Sequence, residues 1–127
     1  MIKGIGTDII KIERIKKVIS RSGDRLAERI LSEAEFDQYL VCNGRAVWLA
    51  KRFVAKEAGA KALGTGFRQG LRFEHLQIEH DELGKPCIAF LGFASELASK
   101  LGIDQVYLSV ADEKDYAVAF VVLEGAD

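Results

Sequence analysis

Two acidic side chains and one lysine have the types and positions to do chemistry. Phe53, Glu57 and Lys61 follow one another at intervals of about one helical turn, so one helix face should carry all three. The periodicity alone favours a solvated Glu57–Lys61 ion pair, which would stabilise the helix by about 0.2–0.5 kcal/mol. Asp8 interrupts the apolar run 2–10. Its carboxylate is exposed, caps a turn or is held for a ligand, and structural uses are the more common fate.

Two elements must position these side chains. The stretch 48–66 reads WLAKRFVAKEAGAKALGTG, and its Ala, Leu, Lys and Glu residues lose little side-chain entropy in a helix. We therefore predict one helix of about four or five turns, which Gly64 and Gly66 end. The N-terminal apolar run is rich in β-branched residues and predicts a strand that bends or bulges at Gly4 and Gly6.

The other segments have the periodicities of short helices and of strands paired in hairpins. Ser32 and Glu35 form a capping-box signature at the start of one of these helices. Helices are predicted at 11–21, 25–31, 33–40 and 94–101, and strands at 76–80, 86–91, 105–111 and 116–123. This order of elements predicts an α+β fold with an antiparallel sheet.

Length and composition exclude several classes of protein. The 127 residues predict one domain over 1–127, and 49% hydrophobic and 29% charged residues are ordinary for a globular protein. The net charge of −1 predicts neither a nucleic-acid nor a membrane partner. No apolar stretch reaches the length of a membrane span, and the first three residues open no signal peptide. Cys42 and Cys87 form neither a disulfide framework nor a zinc motif, so we expect a reducing, cytoplasmic location.

One segment is more basic than the rest of the chain. Its cations are Lys11, Arg14, Lys16, Lys17, Arg21, Arg25 and Arg29. Apolar residues at helical spacing leave Arg14, Lys17 and Arg21 near one another on the solvated side of an amphipathic helix. Two interpretations fit this pattern equally well, a surface that faces an acidic partner and a merely solvated helix face.

Four motifs occur in order along the chain, GIGTDI at 4–9, AKRFVAKEAGAKALGTG at 50–66, ELGKP at 82–86 and DYAVA at 115–119. Their combination covers nearly the whole chain and resembles the holo-[acyl-carrier-protein] synthase family, the small 4′-phosphopantetheinyl transferases. The resemblance implies transfer of the 4′-phosphopantetheine arm of coenzyme A to a serine of apo-acyl-carrier protein, in support of fatty acid biosynthesis. It also implies Mg²⁺, adenosine 3′,5′-bisphosphate as by-product, and a homotrimer with coenzyme A in clefts between adjacent subunits. The family fold is α+β, with a long central helix packed on an antiparallel sheet.

The resemblance also implies roles for individual residues. Asp8 and Glu57 match the family's metal-binding carboxylates, and Lys61 matches a lysine that we assign to a coenzyme phosphate. These three residues form the predicted catalytic set. Residues that match coenzyme-binding positions are Arg52, Lys61, Gly64, Thr65, Gly66, Gly84, Lys85 and Pro86. The family docks acidic carriers on a basic helix, for which the candidates are Arg14, Lys17, Arg21 and Arg25.

Within this set, the glycine-rich segment 64–66 is expected to meet the 3′-phosphate of the coenzyme or neighbouring atoms through its backbone N–H groups. Arg52 and its neighbour Lys56 are weaker candidates, since either side chain could simply face solvent. Gly84, Lys85 and Pro86 match a loop that lies near the adenine end of the coenzyme in the family.

Two departures from the family pattern are visible. Tyr107 stands where many relatives carry a histidine, so any contact made by that histidine is in doubt here. Val47-Trp48 stands where many relatives read Arg-Phe, and Arg45 is a candidate substitute for the missing arginine. Neither departure affects the predicted catalytic set.

The group that deprotonates the carrier serine stays open. A Mg²⁺-bound water, or Glu57 acting through water, is preferred to His75 or His80, which lie outside the matching motifs and are expected at the surface. Two other functions are also compatible with the sequence. One is a related transferase for carriers of polyketide or peptide synthesis, and the other is a module that binds coenzyme A or a carrier without turnover.

Overall fold

A long helix lies across one face of a three-stranded antiparallel sheet in the computed structural model, which describes residues 1–127. The helices are α1 (Ile12–Ser22), α2 (Arg25–Ile30), α3 (Glu33–Val41), α4 (Arg45–Leu63) and α5 (Gly92–Lys100). The strands are β1 (Ile2–Lys11), β2 (Leu76–His80), β3 (Pro86–Phe90), β4 (Gln105–Asp112) and β5 (Tyr116–Glu124), and a 3₁₀ turn occupies Phe73–His75. The predicted α+β class is confirmed.

The three-stranded sheet has the order β1-β5-β4, so β1 is an edge strand. Helix α4 packs on its inner face against all three strands, and the alternating residues of β5 on that face are fully or almost fully buried. The outer face of the sheet instead exposes apolar side chains, which are Ile5, Ile9, Tyr107, Val118 and Phe120. Helix α4 therefore covers the inner face of the sheet, whereas no element of this chain covers the apolar outer face.

Two glycines bring β1 against α4. A β-carbon on Gly6 would overlap the carbonyl oxygen of Ala58, and one on Gly4 would overlap that of Ala62, so only glycine permits this approach of strand to helix. The predicted bulge is present between Ile2 and Gly4. At Gly6 the pairing with β5 is regular, so this glycine makes no bulge and instead permits the close approach to α4.

Both predicted hairpins are present, but they belong to separate sheets. Strands β4 and β5 join β1, whereas β2 and β3 form a two-stranded sheet of their own. The capping box is confirmed, because the Ser32 hydroxyl accepts from the Glu35 N–H while the Glu35 carboxylate accepts from the Ser32 N–H. No helix combines the length and apolarity that a membrane crossing needs.

Candidate active site

Strand β1 and the last turns of α4 bring Asp8 and Lys61 together. Lys61 Nζ donates to Asp8 Oδ1 at 3.0 Å and to the carbonyl oxygen of Thr7 at 3.1 Å. The Lys61 side chain is 51% exposed and that of Asp8 is 18% exposed, so solvent reaches the contact from the lysine side. The lysine therefore pairs with the strand, and the Glu57–Lys61 pair favoured by periodicity alone is not formed.

Glu57 lies beside this pair, one helical turn before Lys61 on α4. Burial raises the pKa of Glu57 above its ordinary value of 4.5, and the negative charge of Asp8 raises it further. Lys61 acts in the opposite direction and lowers the pKa of Glu57. The two carboxylates are thus close enough to repel each other, although they are far apart in the sequence.

A divalent cation fits this pair of carboxylates. The chain contains no group of three or more His, Cys, Asp and Glu side chains that could hold a metal by themselves. Mg²⁺, however, is commonly bound by one or two carboxylates, with substrate phosphates and waters completing its shell. Burial and then the charge of Asp8 raise the pKa of Glu57, and a cation held by the two carboxylates would oppose both effects.

The glycine-rich segment after Lys61 ends the helix. Gly64 and Gly66 have φ values of 89° and 60°, which favour glycine. Their N–H groups donate to the carbonyl oxygens of Lys61 and Ala60, at 3.0 and 3.2 Å. These two N–H groups already close the helix terminus, and the contact of segment 64–66 with a coenzyme phosphate stays a prediction. The Thr65 hydroxyl donates to the carbonyl oxygen of Gly66 at 2.8 Å.

A second group of predicted residues lines a separate cavity. Arg52, Gly84 and Pro86 border a cavity of about 130 Å³ between α4 and the β2–β3 hairpin. The Arg52 guanidinium lies 4.2 Å over the ring of Trp48, and the residue is only 8% exposed. Since nine residues separate Arg52 from Lys61 on α4, the two lie about 13 Å apart along the axis. The structure therefore groups the predicted coenzyme-binding residues at two places rather than in one pocket.

His80 was not predicted as a site residue, yet it lines the same cavity as Arg52. Burial lowers the pKa of His80, and the positive charges of Arg52 and Lys51 lower it further, which favours a neutral imidazole. No signal in the sequence marked this histidine, because β2 becomes a neighbour of α4 only in the folded chain.

The loop between β2 and β3 is held by one aspartate. Asp81 Oδ1 accepts from the N–H groups of Leu83 and Lys85, at 2.9 and 2.8 Å. Gly84 has a φ of 85°, which completes the turn. Lys85 borders an adjoining groove of about 210 Å³ that also contains Tyr107 and Pro86. The loop thus lines two recesses that share Pro86, which are the cavity beside Arg52 and the groove beside Tyr107.

The two departures from the family pattern have different consequences. Tyr107 is exposed, and its hydroxyl donates to Glu124 Oε1 at 2.9 Å. Arg45 does not approach the cavity lined by Arg52, because its guanidinium lies 5.1 Å from the centre of the Tyr39 ring and donates to the carbonyl oxygen of Leu40. Arg45 therefore contacts Tyr39 and Leu40 rather than Arg52. The ring of Trp48, in contrast, packs against the Arg52 guanidinium.

Lys56 is buried, which contradicts the expectation that it could face solvent. Its Nζ donates to Glu35 Oε1 at 2.6 Å and to the carbonyl oxygens of Ile30 and Phe73, at 2.7 and 3.2 Å. The second oxygen of Glu35 accepts from the Ile78 N–H at 2.9 Å. Burial lowers the pKa of Lys56, and Glu35 opposes this effect. The pair ties α4 to α2, α3, the 3₁₀ turn and β2.

The basic segment forms a groove between α1 and α2. Arg14, Lys17 and Arg21 line a groove of about 410 Å³ together with apolar side chains. Arg29, which was not among the predicted partner-binding residues, lines this groove and an adjoining one that contains Arg25. The four predicted cations are all exposed and are therefore available to an acidic surface.

Comparisons with known proteins identify the family of this chain. A family model described as the 4′-phosphopantetheinyl transferase superfamily matches residues 4–121. The holo-[acyl-carrier-protein] synthase of Edwardsiella ictaluri is 54% identical over 124 residues, which make up 98% of each chain. The crystal structure of this synthase from Neisseria meningitidis superposes with a TM-score of 0.91 at 45% identity, covering 98% of this chain and 99% of that one.

A third relative was solved with a ligand. The holo-(acyl-carrier-protein) synthase of Bacillus anthracis, in complex with coenzyme A, is 36% identical, with a TM-score of 0.83 over 99% of both chains. The chain therefore belongs to the 4′-phosphopantetheinyl transferase superfamily, within the family of the holo-[acyl-carrier-protein] synthases. The resemblance found in the four motifs is confirmed.

Proposed function

We propose that this protein is a Mg²⁺-dependent holo-[acyl-carrier-protein] synthase whose single domain covers residues 1–127. It transfers the 4′-phosphopantetheine arm of coenzyme A to a serine of apo-acyl-carrier protein and releases adenosine 3′,5′-bisphosphate. The observation that carries the proposal is the contact between Lys61 and Asp8, which joins two motifs distant in sequence, with Glu57 beside them. Its relatives bear the name of this activity, and the one from Bacillus anthracis is in complex with coenzyme A.

Lys61 has the position and freedom to neutralise a phosphate. Cleavage of the diphosphate of coenzyme A leaves negative charge on the departing phosphate, and such transfers depend mainly on positioning and charge neutralisation. The ammonium of Lys61 is anchored to β1 by two acceptors, while half of its side chain faces solvent. A bound phosphate would therefore meet a cation that is already oriented.

Asp8 and Glu57 are the proposed holders of Mg²⁺. When bound, Mg²⁺ would supply neutralisation of the diphosphate oxygens. Glu57, acting through a water, is also a candidate base toward the carrier serine, because it lies one turn from Lys61 at the same end of α4.

The remaining coenzyme contacts are assigned to two places. Thr65 and its flanking glycines adjoin Lys61 and would surround the diphosphate there, rather than the 3′-phosphate predicted for this segment. Arg52, Gly84, Lys85 and Pro86 surround the recesses on either side of the β2–β3 loop and would receive the adenosine end and its charge. The separation of the two places within one chain supports a binding site completed by a second subunit.

A homotrimer would cover the exposed outer face of the sheet. Ile5, Ile9 and Phe120 on that face are 56%, 61% and 47% exposed, and such a group of exposed apolar side chains marks an interaction surface. We therefore expect sedimentation at three times the chain mass of 14.0 kDa. A stable, active monomer would contradict the proposal. We assign the enzyme to the cytoplasm, where its two cysteines would stay unpaired, as they are in this structure.

Arg14→Glu tests the docking of the carrier. Reversal of one charge in the basic groove should raise the carrier KM by about tenfold, with little change in the KM for coenzyme A, because rim charges act mainly on the encounter. The effect should shrink at high salt. Lys16→Glu is the matched control, since Lys16 is exposed on the same helix outside the groove. A carrier KM that changes equally in both variants would contradict a specific docking surface.

The activity itself is tested by mass spectrometry of an apo-acyl-carrier protein incubated with the enzyme, coenzyme A and Mg²⁺. The carrier should gain the mass of one phosphopantetheine arm, and the gain should disappear with EDTA. Asp8→Ala and Glu57→Ala should each reduce the rate by about 10²–10⁴-fold. Thr7→Ala is a matched control, because its hydroxyl bonds only to the Ala119 carbonyl on the neighbouring strand.

Other outcomes would identify the alternatives. Coenzyme A binding without modification of any carrier would favour a binding module. Modification of polyketide or peptide carriers in preference to the fatty acid carrier would favour the related transferase. Full activity of both carboxylate variants would overturn the proposed site.

A further inference from the structure

The buried pair of Glu35 and Lys56 is coupled to a third charge that faces the cavity. Arg52 Nε lies 4.0 Å from Glu35 Oε2, which is too far for a hydrogen bond, and this Nε has no hydrogen-bond partner although it is buried. Two cations and one anion thus share this part of the interior. The surplus positive charge must belong to one of the two cations.

The hydrogen bonds identify Arg52 as the cation with the surplus charge. All three donors of Lys56 are used, one of them in a 2.6 Å bond to Glu35. Glu35 accepts in addition from the backbone N–H groups of Ser32 and Ile78. The carboxylate is therefore committed to Lys56 and to the backbone, and it offers Arg52 only a distant electrostatic contact.

Arg52 is positioned without being neutralised. Its guanidinium rests on the Trp48 ring at 4.2 Å, and its Nη2 donates to the neutral amide oxygen of Gln38 at 3.5 Å. Lys51, the other cation at the cavity, has its own carboxylate partner in Asp112 at 3.4 Å. A held, buried guanidinium whose only carboxylate neighbour is hydrogen-bonded to Lys56 and the backbone is a strong site for an anion, because charge-assisted bonds strengthen when water is excluded.

We propose that Glu35 and Lys56 are positioning residues that keep the charge of Arg52 available for the 3′-phosphate of coenzyme A. This inference rests on the proposed function, since it concerns the same coenzyme. The cavity of about 130 Å³ is too small for the whole coenzyme and has room for one charged group. Lys56 neutralises the carboxylate of Glu35. Without Lys56, Arg52 would be the nearest cation to this carboxylate and would form an ion pair with it. An ion pair is poor at stabilising a core relative to apolar residues, so a role in charge balance explains why a lysine is buried here.

The test compares the affinities of coenzyme A and dephospho-coenzyme A, which lacks the 3′-phosphate, by calorimetry at a temperature where each variant is folded. Wild type should prefer coenzyme A. Lys56→Met should reduce this preference by about tenfold, because Arg52 then becomes the only cation beside Glu35. The double variant Glu35→Gln with Lys56→Met should recover the preference, although it has lost more polar groups than the single variant.

A purely structural role would give a different result. If the preference of Lys56→Met equals that of wild type, or if the double variant is no better than the single one, the inference is overturned. Should Lys56→Met fail to fold, Lys56→Gln takes its place, because it keeps a hydrogen-bond donor for Glu35 and removes only the charge. Lys56→Gln must show the reduced preference, and a wild-type preference overturns the inference. The inference is also overturned if Lys56→Met loses affinity equally for coenzyme A and dephospho-coenzyme A and the double variant recovers neither affinity.

Arg52→Met separates this inference from the proposed function. Loss of the preference in Arg52→Met with no change in Lys56→Met leaves Arg52 as a coenzyme contact and removes only the role of the buried pair. An unchanged preference in Arg52→Met contradicts both the 3′-phosphate assignment and the inference, whereas the carrier modification assay still tests the activity.

Discussion

Two lysines of α4 are paired with carboxylates, and their surroundings differ in every respect. Lys56 and Glu35 are 0% and 1% exposed, whereas Lys61 and Asp8 are 51% and 18% exposed. The first ammonium has three protein acceptors, and the second has two, both on the edge strand β1. The charge of a lysine therefore does not separate the scaffold from the proposed active site in this protein. Exposure and unused hydrogen-bonding capacity do.

Helical geometry explains how one motif contains both roles. Five residues correspond to about 500° of rotation, so Lys56 and Lys61 point away from each other by about 140°. One side of α4 meets the small hairpin and the short helices, and the other meets β1. Substitutions at the two lysines should therefore separate stability from activity.

Lys56→Met should have the largest effect on stability. It leaves the buried carboxylate of Glu35 without its main partner, which typically costs about 3–5 kcal/mol. Chemical denaturation should show a lower midpoint with an unchanged slope. The removal of Glu35 as well should restore part of the loss, because an apolar pair has no unpaired charge. A midpoint like that of wild type would mean that Arg52 compensates Glu35 completely.

Lys61→Met should reverse this pattern. The exposed pair with Asp8 stabilises the fold by no more than about 1 kcal/mol, so the midpoint should scarcely move. The rate of carrier modification should fall by about 10²–10³-fold, because a donor aimed at developing charge is lost. Lys61→Arg retains the charge and should recover part of the rate. A folded, fully active Lys61→Met would show that the open pair is as structural as the buried one.

The sequence predicted the elements that depend on local patterns. The ends of β2, the capping box at Ser32 and the glycine that ends α4 all follow from residues near one another in the chain. The convergence of Asp8 with Glu57 and Lys61 came from the family motifs rather than from periodicity. Periodicity alone favoured a different ion pair, since it contains no information on which strand lies beside the helix.

Two of the missed features depend on contacts between distant segments, and the third concerns the end of α4 itself. The burial of Lys56 requires acceptors from α2 and the 3₁₀ turn as well as Glu35, and none of these is adjacent in sequence. His80 becomes a cavity residue only because β2 packs on α4. The Gly64 and Gly66 N–H groups were assigned to a ligand because the pattern reveals a helix end without revealing which donors the end itself uses.

The smallest expected effect on stability is that of Glu57→Gln, beside the exposed pair of Lys61 and Asp8. Glu57→Gln should slightly stabilise the metal-free protein at pH 7, by less than about 1 kcal/mol because the side chain is partly exposed. Its raised pKa means that folding disfavours the ionised form, so the penalty grows as the pH rises above the ordinary value of 4.5. Below that value Glu57 is protonated in both the folded and unfolded states, and the variant and wild type should have the same thermal midpoint. Activity should be lost even though stability rises, which is the behaviour of a carboxylate held for a ligand. Equal midpoints at pH 7 would instead indicate that Lys61 fully offsets the effects of burial and of Asp8 on Glu57.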